Sequence, residues 1–163
     1  MRNENGGTLV ETALSLLLLF TFLFGIIELS LALYSYHFVS DAAREGTRYA
    51  IVRGSDWGNP CDTGTAGTGY TSAGCNASTA DIKAYVSSLN FPGIFITTQD
   101  VCVEYFSTPP ASASSSCTDG TGTTKASGNV VQVTVTYPFT FGVPGLRKFT
   151  YSLASTSQMV ISQ

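Results

Sequence analysis

The sequence predicts an α+β protein. A long apolar N-terminal helix is followed by a small disulfide-bonded domain with one short helix and a three- or four-stranded antiparallel sheet. Three observations support this class: a proline-free first third that carries one charge between Thr12 and Ser40, one apolar stripe at helical spacing, and three runs in which apolar and polar residues alternate. The boundaries we expect are 1–6 for a short polar leader, 7–54 for the helix and 55–163 for the domain.

The first third of the chain determines this architecture. Residues Thr12–Ile27 carry no charge, and after Glu28 the chain is uncharged again from Leu29 to Ser40. The run continues into an amphipathic segment at Asp41, which predicts one continuous helix starting near Thr8. At about 1.5 Å per residue, this helix is about 70 Å long, more than twice the hydrocarbon core of a bilayer. Its first half can therefore lie in lipid, and we expect the domain to sit on the far end of the rod.

Composition argues against several classes of function. The charged fraction is 12% and the net charge is −3, with no dense Lys/Arg cluster, which argues against a nucleic-acid partner. The chain has no Gly-x-Ser-x-Gly elbow, no phosphate-binding loop and no metal-ligand spacing. We therefore expect a protein that is not an enzyme, with no catalytic residue, no metal and no cofactor.

All four cysteines follow the apolar helix, and their even number predicts two disulfides in an oxidising compartment. Three pairings are possible, and we favour the sequential one, Cys61–Cys75 and Cys102–Cys117. Each bond would close a loop of about 15 residues, which is worth about 3 kcal/mol. A zinc site is the competing interpretation, but no cysteine pair has the usual short gap and His37 lies in the apolar helix.

The elements of the domain follow in order. Ser78 to Asp81 has the spacing of a capping box and opens a short amphipathic helix that ends at Asn90–Gly93. Turn-rich connections between the later strands favour an antiparallel meander, and Pro138 is expected to end regular ladder pairing in the second strand. Alternation with β-branched and aromatic residues predicts strands over Asp100–Phe106, Val131–Tyr137 and Phe149–Ala154.

The N-terminal leader differs from a secretory signal peptide. The apolar run is longer than such a peptide needs, and the conspicuous small residues, Gly6 and Gly7, precede it. This order resembles the leader of type IV pilin-like precursors, in which a membrane peptidase cuts after a glycine and leaves the apolar helix on the mature protein. Cleavage between Gly6 and Gly7 would make Glu11 the fifth mature residue, the position where pilin-like families carry a glutamate.

Two further motifs extend the resemblance. With Gly-x-x-x-x-Glu at Gly6–Glu11, the segments FGIIEL at Phe24–Leu29 and AAREGTRYA at Ala42–Ala50 are similar to the TadE-like family of tight-adherence (Flp) pilus systems. The resemblance implies a structural pilin-like subunit that assembles into, or initiates, a bacterial pilus filament involved in adhesion.

The two carboxylates of the apolar helix are costly in lipid unless they are paired. For Glu11 the resemblance implies a partner in the α-amino group of a neighbouring subunit's Gly7, which exists only after cleavage. Alternatively, Glu11 lies in the headgroup zone at the start of the span. Glu28 either marks the outer boundary of a short span or faces a neighbouring helix.

Small residues define the expected packing positions of the helix. Ala42, Gly46 and Ala50 recur at four-residue spacing, which lets another backbone approach closely. That face could pack on other helices, on the chain's own domain, or on both at different heights. Gly25, the interior glycine of the apolar run, and Glu28 are assigned to helix packing as well.

The resemblance implies pilin subunits, a prepilin peptidase and, before assembly, membrane lipid as partners. It implies a single-pass precursor in the cytoplasmic membrane that later reaches the cell surface. Arg44, Arg48 and Arg53 oppose this topology by the positive-inside rule, but the cysteines and the leader favour it. The alternatives are a permanently membrane-anchored assembly factor, and a surface-binding adhesin module built around Trp57 and Tyr70.

Overall fold

The computed structural model describes residues 5–55, 75–89, 92–107, 119, 125–142 and 147–162. Within these residues a long helix, a short helix and a three-stranded antiparallel sheet confirm the α+β class. The elements are α1 (Asn5–Ile51), α2 (Thr79–Ser88), a 3-10 turn (Thr98–Asp100), β1 (Val101–Phe106), β2 (Val130–Phe141) and β3 (Phe149–Val160).

The long helix α1 is continuous, as predicted, and it begins slightly earlier than Thr8. Three of its exposed hydroxyl groups are bonded within the helix itself. Thr12, Thr21 and Ser30 each donate to the carbonyl one turn earlier, at 3.0, 2.8 and 2.9 Å. Because these hydroxyls need no outside partner, they are compatible with an apolar surrounding.

The short helix α2 starts at the predicted capping box. The Asp81 amide donates to Ser78 Oγ at 3.2 Å, and the Ser78 amide donates to Asp81 Oδ2 at 2.7 Å. Ile82 and Val86 on its apolar stripe are fully buried. The capping box therefore determines where α2 begins, and burial of the apolar stripe packs the helix against the core.

The sheet is the predicted meander, with strand order β1-β2-β3. Val133 of the central strand pairs with Val103 on one side and with Ser157 on the other. Alternate residues of β2 point into the core, where Val131, Val133 and Val135 are fully buried. This face of the sheet packs against both α1 and α2.

The expectation that Pro138 ends the ladder is wrong. The second strand continues to Phe141, and Pro138 pairs with Ser152 of β3. The first strand pairs with β2 only as far as Val135, so β2 beyond that point has β3 as its sole neighbour in the described sheet. A missing N–H on the open side of a strand removes no ladder hydrogen bond, which is why proline is tolerated there.

The domain lies along the second half of α1, and this differs from the expected position at its end. The β2–β3 hairpin runs beside the helix and is bonded to it at three heights. The Gly142 amide donates to Glu28 Oε1 at 3.2 Å, Thr47 Oγ1 donates to Ser157 Oγ at 2.7 Å, and the Ser162 amide donates to the Ile51 carbonyl at 3.2 Å. The cause is the apolar stripe of α1, in which residues such as Val39 are fully buried. This stripe needs the sheet as its cover.

Candidate membrane and assembly surface

The first half of α1 is an apolar surface that no described part of the chain covers. Leu9, Leu18 and Phe22 are about 70% exposed, at 69%, 72% and 71%. The helix is long and apolar enough to cross a membrane, since its best window has a mean hydropathy of 2.5 and none of that window is buried. A monomer in water rarely exposes so large an apolar surface, so an apolar environment or a partner is required.

The predicted cleavage positions, Gly6 and Gly7, lie in the first helical turns of α1. A Cβ atom added at either glycine would meet nothing within 4 Å. Glu11, one turn later, is exposed, and the ion pairs found within the described residues do not involve it. Its carboxylate is therefore accessible on the same surface as the apolar side chains.

Gly25 forms a notch in that surface. A Cβ atom added at Gly25 would also meet nothing within 4 Å, so no contact within the described chain explains a glycine here. Thr21, Phe22, Ile26 and Leu29 lie around the notch and leave it open.

Glu28 has a partner within the chain. Its carboxylate accepts the hydrogen bond from the Gly142 amide where β2 ends. Below Glu28 none of the described residues covers the helix, and above it the hairpin begins. The height of Glu28 is therefore the level at which the uncovered helix gives way to the helix–sheet unit.

The small-residue face of the second half packs on the chain's own domain. Ala42 and Ala50 are 1% and 4% exposed, and Gly46 is buried between them. A Cβ atom at Gly46 would lie 2.7 Å from Val86 Cγ2 and 3.1 Å from Val133 Cγ1. This glycine lets α1 contact both α2 and β2, so the face is occupied by the chain's own domain.

Two titratable groups of the domain are shifted by burial. Burial raises the pKa of Tyr105 to about 12, and the negative charge of Asp81 adds to that rise. Burial lowers the pKa of Lys125, and Asp81 partly opposes the effect. The Lys125 ammonium donates to the Ala77 carbonyl at 2.7 Å, which ties the segment before α2 to the segment before β2. These groups serve the fold of the domain.

Cys75 and Cys102 are buried, and neither is a free thiol. Their predicted partners, Cys61 and Cys117, lie outside the described residues, as do Trp57 and Tyr70 of the adhesin alternative. The sequential pairing therefore stays a prediction. Within the described residues no group of three or more potential metal ligands is found.

A family model described as TadE-like protein matches residues 6–48. The family resemblance is confirmed. The TadE-like match covers the uncovered half of α1 and most of its packed half, but it covers only about a quarter of the chain. No curated protein and no solved structure matches this chain. The residues from Tyr49 onwards are therefore interpreted from their own structure.

The sequence predicts the apolar surface but not the contact at its upper end, because the backbone amide of Gly142 carries no signal in the sequence. The pairing of Glu28 with a residue more than a hundred positions away depends on the strand lengths of the hairpin. The one available signal was that the run ending in Phe141 has the composition of a strand beyond Pro138.

Proposed function

We propose that the chain is a structural, pilin-like subunit of a bacterial tight-adherence-type pilus, either as a minor component or as an initiator of the filament. In this account a prepilin peptidase cuts between Gly6 and Gly7, and α1 then moves from the membrane into a helical assembly. We propose adhesion as the biological output of that filament.

The observation that supports assembly over simple anchoring is the height of the exposed apolar surface. On the side away from the sheet, apolar exposure continues past Glu28 through Leu33 to Tyr36. From Leu9 to Tyr36 the helix rises about 40 Å, whereas the hydrocarbon core of a bilayer is about 30 Å thick. A lone anchor leaves the upper part of this face in water, and neighbouring α1 helices in a filament would bury it.

Glu11 supplies a second argument. It lies within the apolar surface, and an unpaired carboxylate is costly in lipid or in the core of a filament. Cleavage at Gly6 would create an α-amino group at Gly7 on each subunit. Pairing of that cation with Glu11 of a neighbour would neutralise both charges and set the axial position of the incoming helix.

The domain is suited to lie on the outside of a filament. Its core is complete on the helix side, and the residues between its elements are rich in serine, threonine and glycine. We propose that the disulfides Cys61–Cys75 and Cys102–Cys117 hold these connections in the extracellular environment. Such bonds persist in oxidising compartments.

The experiment compares two variants in cells that make filaments. We expect Gly6→Leu to block processing, so that the uncut chain stays in the membrane fraction. Gly6→Ala, which adds only a methyl group in open space, is the matched control and should be processed more efficiently than Gly6→Leu.

The second variant, Glu11→Leu, should be inserted and processed but should enter filaments poorly, because the α-amino group loses its partner. Glu11→Asp keeps the charge and should retain part of the assembly. Normal filament yield from Glu11→Leu would refute the pairing. Normal function of the unprocessed Gly6→Leu chain in the membrane would favour the anchored assembly factor.

A further inference from the structure

The end of the β2–β3 hairpin that carries Gly142 lies at the level where the uncovered helix ends; its described residues, Phe141, Gly142 and residues 147–151, are called the hairpin tip below. The Gly142 amide, directly after β2, donates to Glu28 at 3.2 Å. From Leu9 to Ile27 the helix rises about 28 Å, close to the roughly 30 Å hydrocarbon core of a bilayer. If this segment crosses the membrane, as the proposed function requires, the hydrogen bond to Glu28 holds the tip at the outer membrane surface.

Aromatic side chains are concentrated at this tip. Phe149 and Tyr151 are 56% and 58% exposed at the start of β3. The ring of Phe141 stacks on Phe149 with a centroid distance of 4.9 Å and also contacts Phe139 edge-on at 4.8 Å. Aromatic rings of this kind are enriched at the level of the lipid headgroups, where an apolar body meets a wet boundary.

Two cations directly precede Phe149 in the chain. Arg147 and Lys148 are exposed, and neither takes part in the ion pairs of the described residues. Adjacent cations at a membrane surface are attracted to anionic lipids.

We propose that the hairpin tip, Phe141, Gly142 and residues 147–151, docks on the outer surface of the membrane before assembly. The rings of Phe149 and Tyr151 would enter the interfacial region, and Arg147 and Lys148 would bind anionic phospholipid headgroups. This contact would fix the tilt and height of the subunit while it waits for incorporation. Release of the tip would then be part of extraction into the filament.

The test places a fluorescent reporter at the tip of the full-length chain in vesicles. Trp57 is the sole tryptophan, so Trp57→Phe provides a background in which a new tryptophan reports alone. Phe149→Trp reports the tip. Val160→Trp is the matched control, since Val160 lies at the other end of the same strand and is equally exposed at 56%. Leu18→Trp reports insertion of α1.

Vesicles of phosphatidylcholine with one third phosphatidylglycerol carry bromine atoms as quenchers, on shallow acyl positions for the readings at 149 and 160 and on deep acyl positions for the reading at 18. The proposal predicts that tryptophan at 149 is quenched at least about twofold more than tryptophan at 160. Arg147→Gln with Lys148→Gln should lower quenching at 149 about twofold in these vesicles, and have little effect in pure phosphatidylcholine.

Equal, weak quenching at 149 and 160 with strong quenching at 18 would overturn the proposal and leave the membrane span intact. Weak quenching at all three positions would contradict the span itself, and with it this proposal. Hydrogen exchange of the unsubstituted chain provides a second readout. Amides of residues 147–151 should exchange more slowly in anionic than in zwitterionic vesicles. If these amides exchange at the same rate in both kinds of vesicle and slow down only in assembled filaments, the hairpin tip contacts a neighbouring subunit and not the membrane, and the proposal is wrong.

Discussion

At the scale of single residues, two glycines of α1 have opposite surroundings. A Cβ atom added at Gly46 would lie 2.7 Å from Val86 Cγ2, closer than real Cβ contacts come, and 3.1 Å from Val133 Cγ1, whereas a Cβ atom at Gly25 would face open space. The first glycine therefore belongs to the fold of the subunit, and the second is available to a partner. One half of α1 thus uses a glycine for packing within the chain, and the other half presents a glycine on its exposed surface.

Gly46→Ala should destabilise the domain. Overpacking a well-packed core costs about 1–3 kcal/mol, which exceeds the gain of about 0.5–1 kcal/mol from replacing a helical glycine. Thermal unfolding in detergent micelles, followed by near-ultraviolet circular dichroism, measures the effect. Gly25→Ala is the control and should leave the unfolding temperature unchanged or slightly raised. Equal behaviour of the two variants would contradict the close contact at Gly46.

Tyr105 predicts an alkaline limit to stability. Its pKa is raised from 10.0 to about 12, mainly by burial. Above pH 10 the unfolded chain releases this proton and the folded chain keeps it, so stability is full below pH 10 and is lost as the pH rises towards 12. The free energy of unfolding of the wild type, relative to Tyr105→Phe, should fall by about 2–3 kcal/mol over that range. Denaturant titrations at several pH values that give parallel profiles would contradict the burial of an unionised phenol.

At the scale of elements, the hairpin and the packed half of α1 match in length. Strands of twelve residues span about 40 Å, and α1 from Glu28 to Ile51 rises about 35 Å. The hydrogen bonds at Glu28, Thr47 and Ile51 therefore hold the two elements together from end to end. Loss of one end bond should loosen that end alone.

Glu28→Ala should expose the Gly142 amide without unfolding the domain. The loss of one hydrogen bond of about 1 kcal/mol corresponds to amide exchange faster by on the order of tenfold. Glu28→Gln keeps an acceptor oxygen and should show a smaller change. The Ser162 amide, bonded to Ile51 at the other end, is the internal reference and should not change. Unaltered exchange at Gly142 would show that the contact contributes no protection.

Local patterns in the sequence predicted the elements themselves. The capping box at Ser78 and the alternation in the strands are short-range signals, and the structure bears out both. The end of the second strand is not predicted, because continuation past Pro138 depends on where β1 begins, opposite Val135. The last part of β3 was missed as well, since Ser155 and Ser157 are weak strand formers that face α1 in the helix–sheet contact.

At the scale of the whole molecule, α1 divides into an uncovered half and a packed half that meet at Glu28. The sequence predicted the membrane-length run and the family motifs, because hydropathy and motif order are local properties. It left open which partner the small-residue face takes, since that depends on the fold of residues far along the chain. The structure assigns Ala42, Gly46 and Ala50 to the domain and leaves Gly25 exposed.

Gly25 provides a size series for the assembled state. Because a side chain here meets nothing in the described chain, Gly25→Ala and Gly25→Leu should both fold and insert normally. In a filament with close helix contacts, Gly25→Leu should reduce the yield of sheared filaments several-fold, and Gly25→Ala should reduce it less. Equal yields for both variants and the wild type would place this notch outside the subunit contacts.

The central claim is that the chain is cut at Gly6 and exported into a fibre. Intact-mass and N-terminal analysis of the protein from sheared surface filaments and from the membrane fraction tests it most directly. We expect a chain that begins at Gly7 in the sheared material, with uncut precursor confined to the membrane. A chain that begins at Met1 and is found only in the membrane would contradict the account, and it would leave Glu11 without the partner proposed for it.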